Sequence, residues 1–436
     1  MRNRTLRTLN GLLGGLACMA ASLAFAASPP TLRAGVAKVD ITPPSLTGPF
    51  TGLNRGAGEN SQVFKIIHDK IYARALIMDS GSGPVAIVAL DLTGVGETMP
   101  LRQRIQRELG IAPDRIMITA SHDHSAPRLD GGSPAADAYL NLANDKIVEA
   151  LTKAKAAMQP ARMGIGRGSA DVNVNRDLYW PEPKGWSQGY NPEGKSDKTV
   201  TVVKFETAAG QPFAVLFNYA VHSLVTFNTE LLSGDLVGAA ERVIEEDFGD
   251  HVVALFTLGA AGDQNSKFRG PGLTTADGRP GLPMPERQRK AIQAMDAQGF
   301  MLGAEVLRVM NQVKASTTAP RIAAAESVFT CPVKPDKARG VFANGVPIRL
   351  STILVGDLAF IGVSGEVVTN IGERLRAASP LTDTVLITWV NGRSGYLVDD
   401  ATYETPNFQS NATAPAIGCA ENGIVDGLSG MIRQLR

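Results

Sequence analysis

The chain has 436 residues, 44% of them apolar, and a formal charge of +1 from 43 Lys and Arg against 42 Asp and Glu. A nearly neutral chain without a basic block argues against a nucleic-acid partner and against an electrostatic hold on anionic lipid. The apolar content suffices for a large core, and with no Pro/Ser-rich linker, repeat or low-complexity tract, one elaborated domain is expected.

Residues 1–27 read as a leader. Arg2, Arg4 and Arg7 precede an apolar stretch over 12–25, and Ala24-Phe25-Ala26 offers small residues at the two positions that a signal peptidase reads. The stretch is shorter than the roughly 20 apolar residues that span a bilayer, and it contains Gly14, Gly15 and Ser22. The expectation is a signal peptide over 1–27, one domain over 28–436, and export to the periplasm or the medium with no stable membrane anchor. The leader holds three arginines and no acid, so its loss moves the charge from +1 to −2.

Past the leader, short runs rich in Val and Ile predict strands at 71–78, 85–90 and 115–120, with helical periodicity at 100–109 and 135–158. Strands follow at 201–205 and 213–219, a helix at 236–248, a strand at 252–258 and a long helix at 285–313. The last third predicts strands at 350–355, 359–363 and 385–390 with a helix at 366–378. Alternation of this kind, with near-continuous apolar strands, predicts an α/β fold: a mixed, largely parallel sheet sandwiched by helices. Segments 173–196 and 267–285, rich in Gly, Pro and aromatics, are too long for ordinary connections and read as lids or rims. Cys331 and Cys419, the cysteines outside the leader, form one disulfide or remain two buried thiols.

Open α/β sheets bind ligands beyond the carboxyl ends of their strands. There the chain places Ser121-His122-Asp123-His124, Ala220-Val221-His222, Ser364-Gly365-Glu366 and Asn391-Gly392-Arg393-Ser394-Gly395-Tyr396, with Asp91 and Gly262-Asp263-Gln264-Asn265 in equivalent positions. Three of only five histidines therefore lie at strand ends, while His68 and His251 lack such a setting. Residues i and i+2 of an extended segment project to one side, and a His-X-His pair is a frequent zinc element. Core histidines bonded to backbone carbonyls are the bland alternative.

These same residues resemble the catalytic domain of the neutral, non-lysosomal ceramidases. Ala120-Ser121-His122-Asp123-His124-Ser125-Ala126-Pro127 is similar to that family's His-Thr-His-Ser-Gly-Pro element. Gly35-Val36-Ala37-Lys38-Val39-Asp40-Ile41-Thr42-Pro43, Asn218-Tyr219-Ala220-Val221-His222, Ser233-Gly234-Asp235, Gly262-Asp263, Gly365-Glu366-Val367-Val368-Thr369 and Gly395-Tyr396-Leu397-Val398 follow the family's order. The resemblance implies a Zn2+ ion held by His122, His222, Glu366 and Tyr396, with His124 beside it to orient or polarise the substrate. Asp263 and Asp235 are then candidates to hold a ligand or water, and Asn265 to donate to an oxyanion.

Two departures qualify the substrate. The family's Gly-Asp-X-Ser-Pro-Asn element carries a Ser needed for amide cleavage, and Asn265 stands at that position here. The resemblance also implies a short member without the immunoglobulin-like domain that follows in the family. The expectation is an exported, ceramidase-like zinc hydrolase of sphingolipid type, cleaving the N-acyl amide bond of a lipid-like substrate, with a small-molecule or lipid-like substrate as its partner. Alternatives are a zinc hydrolase of another amide or ester, and a non-catalytic metal- or ligand-binding protein.

Overall fold

The computed structural model describes residues 31–56, 63–182, 184–268 and 281–436, so residues 1–27, expected to be a leader, and residues 269–280 of the second long segment lie outside the described residues. Eight strands form a large sheet: β1 (Arg33–Asp40), β2 (Tyr72–Asp79), β3 (Val85–Leu90), β4 (Ile116–Ala120), β5 (Gln159–Ser169), β6 (Thr199–Thr207), β7 (Pro212–Tyr219) and β8 (Val253–Leu258). Their spatial order is β8-β7-β6-β5-β1-β2-β3-β4. Only the outermost pairs, β7–β8 and β3–β4, are parallel. The five inner pairings are antiparallel. The sheet is mixed as expected but mainly antiparallel, which corrects the largely parallel expectation. Short links between β2 and β3 and between β6 and β7 are hairpin connections, and a parallel pair needs a crossover of a dozen residues or more.

A second sheet stacks on the first. Its strands β9 (Ile322–Cys331), β10 (Val346–Val355), β11 (Leu358–Val363) and β12 (Asp383–Ile387) lie in that order, with the last pair parallel. The helices are α1 (Met99–Leu109), α2 (Pro134–Ala156), α3 (Asp235–Asp247), α4 (Met284–Gln312), α5 (Thr369–Ala378), α6 (Phe408–Ala412) and α7 (Ala420–Leu435).

Side chains alternate across each strand, so each face of the large sheet has its own core. Ala73, Ala75 and Ile77 of β2 pack with Ile147 and Leu151 of α2, and Phe217 of β7 packs with Leu236 of α3 and Leu302 of α4. The opposite face, with Leu76, Ile87, Phe205 and Leu216, packs on Ile353, Phe360 and Ile387 of the second sheet. The second sheet's outer face carries α5 and α7. The layers therefore run helix, sheet, sheet, helix. Helices cover only one face of the large sheet, a second correction to the sandwiched arrangement expected. Cys331 at the end of β9 is disulfide-bonded to Cys419 at the start of α7, which excludes the two-thiol alternative.

Segment 173–196 is not a loop. Asn173–Trp180 and Gly185–Asn191 form an antiparallel hairpin, with Gln264–Ser266 added on its other edge. The residues after β12 bridge the two outer strands of the large sheet. Thr388 donates its N–H to Leu258 O at the end of β8, and Asn391 donates to Ile118 O of β4, both at 2.9 Å. The Asn391 side chain accepts from Ile118 N at 2.9 Å. The bridge draws strand ends from both sheets into one place.

Candidate metal centre and its cleft

His122 lies two residues past β4 with φ 59°, and Trp389 and Asn391 of the bridge have φ 54° and 59°. Left-handed backbone costs a residue with a Cβ about 1–2 kcal/mol, so its concentration here is strain held at one spot. Glu366 pairs with Tyr396 in a two-residue parallel ladder that brings the ends of β11 and β12 together. Gly365 makes this possible. A Cβ there would lie 2.4 Å from Leu397 Cδ1 and 2.9 Å from Gly395 O.

His122 Nδ1 is 2.6 Å from Thr93 O, and His222 Nδ1 is 2.8 Å from Gln264 O. A carbonyl oxygen only accepts, so both Nδ1 atoms carry the proton and both Nε2 atoms present bare lone pairs. These face the Glu366 carboxylate, at 3.5 Å from His122 and 2.7 Å from His222. Glu366 Oε1 has no hydrogen-bond donor. Three buried acceptors that carry no proton of their own converge here, which fits a cation. Burial pushes the Glu366 carboxyl up, but His122 and His222 outweigh it and hold the group well below the usual carboxylate range. Burial, reinforced by the charge of Arg176, pulls His222 down to about 4.

The described residues group His122, His124 and His222, with one nitrogen from each within 4.8 Å of the others. His124 differs in its tautomer. Its Nδ1 faces the Arg55 guanidinium at 3.3 Å, and a guanidinium only donates. The proton of His124 is therefore on Nε2, which lies 3.3 Å from His122 Nε2. Burial first, then the neighbouring histidines and Arg55, hold His124 well below its ordinary pKa and so neutral. It is a proton donor facing the cleft, poorly suited to ligation.

Tyr396 lies beside Glu366, and its hydroxyl accepts from Arg176 Nη2 at 2.9 Å. Burial raises the phenol above its usual pKa, against the pull of Arg176. Arg176 is 2% exposed and also approaches His222 Nε2 and Asn265 Oδ1, each at 3.4 Å. Nothing local marks Arg176 in the sequence, since the hairpin that carries it reads as a loop. Trp389 stacks on His122 at 4.9 Å between centroids.

Asn265 is buried, with its backbone bridged to His222 and its Nδ2 without a hydrogen-bond partner. Asp263 does not reach the histidines. Its Oδ1 accepts from Thr369 N at 2.9 Å and Thr369 Oγ1 at 2.7 Å, which caps α5. Asp235 accepts from Val225 N at 3.1 Å and Thr226 N at 2.6 Å, fixing the turn after His222. Asp91 is taken up by Arg74 at 2.7 Å. His68 and His251 are exposed.

The centre opens into a cleft of about 560 Å³ whose lining includes His122, His124, Glu366 and Tyr396, apolar walls at Leu224, Phe227, Phe342 and Phe408, and Gln188 from the hairpin. The arrangement suits a metal-assisted attack on a polar bond beside an apolar group.

Residues 32–299 match the model of the neutral/alkaline non-lysosomal ceramidase N-terminal domain. The chain is similar to neutral ceramidase A of Dictyostelium discoideum, 28% identical over 54% of this chain and 36% of that one. It is also similar to the neutral ceramidase of Pseudomonas aeruginosa, 26% identical over 53% of this chain and 36% of that one. The matched part thus spans only about a third of these relatives' length. Two solved structures share the fold: a ceramidase complexed with C2, at TM-score 0.72, and the Pseudomonas aeruginosa neutral ceramidase, at 0.70. Each is 18% identical over 94% of this chain, covering 76% and 75% of the solved chains.

Proposed function

Because the chain belongs to the neutral/alkaline non-lysosomal ceramidase family, we propose that it is an exported zinc hydrolase cleaving the amide bond of an N-acyl, lipid-like substrate. The observation that carries this reading is the pair of bare Nε2 atoms of His122 and His222 on either side of the Glu366 carboxylate. With Tyr396 they make an N/O ligand set of the kind zinc takes, and zinc, if bound there with a position left open to water, would supply Lewis acidity and acidify that water.

The chain's own groups then have distinct tasks. His124 presents an Nε2 proton toward the cleft for the scissile carbonyl oxygen or the leaving nitrogen. Arg176 holds the Tyr396 hydroxyl and adds positive charge where an oxyanion would develop. Phe227, Phe342 and Phe408 offer an apolar wall to an acyl chain, and the hairpin beside them exposes Tyr179, Trp180, Trp186 and Tyr190. Export is supported by the leader-like residues 1–27 and by the disulfide, which persists in an oxidising compartment. No helix among the described residues is long and apolar enough to cross a membrane.

Asn265 favours a second reading, a zinc hydrolase of another amide or ester on the same scaffold, because an amide side chain cannot replace a serine hydroxyl as nucleophile or proton carrier. A panel of ceramide, short acyl amides and acyl esters, assayed with and without zinc on the wild type and Asn265→Ser, tests both. Zinc-dependent cleavage of short amides with little on ceramide supports the second reading, and efficient ceramide cleavage supports the first. No zinc-dependent cleavage of any of them contradicts both and leaves a non-catalytic binding protein.

A further inference from the structure

The cleft over the metal centre carries more positive charge than its ligands require. Four arginines line it, Arg55, Arg128, Arg176 and Arg393, against the single carboxylate of Glu366. Arg176 is committed to Tyr396 and to Gly262 O. Arg393 pairs with Asp130 at the rim, while Arg128 and Arg55 are poorly balanced. Arg128 is only 8% exposed, yet neither its Nε nor its Nη1 has a hydrogen-bond partner. Its nearest carboxylate, Asp130, is 3.9 Å away and is shared with Arg393 at 3.3 Å. Arg55 meets only the His124 ring and the face of Phe227 among the described residues.

A buried guanidinium with two nitrogens lacking hydrogen-bond partners is a cost that a structure carries for a ligand. Its place is set by two ring contacts: Arg128 sits 5.5 Å over Trp389, and Trp389 stacks at 4.9 Å on His122. Burial, then repulsion from Arg393, lowers Arg128 to about 10, which an anion at this position would reverse. A metal dication adds further positive charge to the same cleft.

We infer that the cleft takes an anionic substrate, an acyl amide with a carboxylate on its amine portion, the carboxylate held by Arg128 with Arg55 and Arg393 beside it. The inference deepens the hydrolase reading and rests on it for the reaction alone. Water adds across the C–N bond, its oxygen going to the acyl carbon and a proton to the departing nitrogen, so the products are a fatty acid and an amino acid. A neutral ceramide in the same place leaves Arg128 without a partner. Planar, bidentate recognition of a carboxylate is what a guanidinium does best.

The test compares N-octanoylglycine with its uncharged counterpart N-octanoylglycinamide. Calorimetric titration of metal-stripped protein removes any carboxylate–metal contact from the comparison. The acid should bind about tenfold tighter than the amide, as a charge-assisted pair implies. Arg128→Gln should bring the two to within about twofold, and Arg393→Gln, at an exposed site that tolerates exchange, should erode the preference in part. Equal affinities in the wild type, or a preference that survives in folded Arg128→Gln, overturn the inference. Zinc-loaded protein assayed on the same pair separates the two claims. An Arg128-dependent binding preference without hydrolysis of either compound sinks the hydrolase reading and leaves the anion site. Hydrolysis of both at equal kcat/KM, without a binding preference, does the reverse.

Discussion

Glu366 and Tyr396, 30 positions apart in the chain, are direct partners in a two-residue parallel ladder, and Tyr396 O–H and the Glu366 carboxylate meet over Arg176. The ladder links the second sheet to a centre whose imidazoles come from the large sheet. The candidate ligands thus straddle the junction of two stacked sheets instead of the switch point of a single one.

The ladder depends on Gly365, where a Cβ would clash with Leu397 and the Gly395 carbonyl. Gly365→Ala should cost about 1–3 kcal/mol of stability by overpacking and should lower metal affinity by shifting Glu366. Thermal unfolding with and without added zinc measures both. Unchanged melting temperature and zinc affinity would show that the close approach at Gly365 does not matter.

The disulfide closes a separation of 88 residues between β9 and α7. Loop-closure entropy assigns such a bridge about 4.6 kcal/mol, of which measured cases often deliver less. The paired substitution Cys331→Ser and Cys419→Ser should lower the melting temperature by several degrees, as should reduction of the wild type. Identical melting curves in oxidised and reduced protein would argue that the bridge contributes nothing.

Asp177, in the hairpin, gives a pH signature. Burial, with the charge of Asp263 adding, raises its carboxyl to about 6 from the ordinary 3.8, against hydrogen bonds from Gln409 and Asn407. The folded state therefore holds this proton more tightly than the unfolded chain. Its contribution is most favourable below 3.8, falls as pH rises through the window to 6, and is a fixed cost above it. Asp177→Asn should stabilise the protein at pH 7.5 by about 1 kcal/mol, discounted for partial exposure, with the gain vanishing near pH 4. A loss of stability equal at both pH values would contradict this account.

The cores of nine of the twelve strands in the two sheets and helices α1 to α5 were legible in the sequence because their apolar periodicity is strong, and so were the histidines at strand ends; β1, β5 and β9 were not. The pairing direction was not. β1 and β5 hold Gly and charged residues among their apolar ones, so they read weakly, and both lie between strands that would otherwise be taken as neighbours. The helix predicted from Glu366 begins at Thr369 because Glu366 and Val367 pair with Tyr396 and Leu397. Arg176 and Arg128 were invisible for another reason. An arginine signals a site only through what buries it, and their partners or lack of partners arise from residues distant in sequence.

The most direct test of the central claim is metal analysis of the purified wild type beside His222→Ala, with zinc K-edge absorption on the same samples. The account predicts about one zinc per wild-type chain, with nitrogen and oxygen ligands near 2.0–2.2 Å and no sulfur, and its loss in His222→Ala. Full zinc occupancy in the folded variant, or a wild type that binds no zinc at micromolar concentrations, would contradict it.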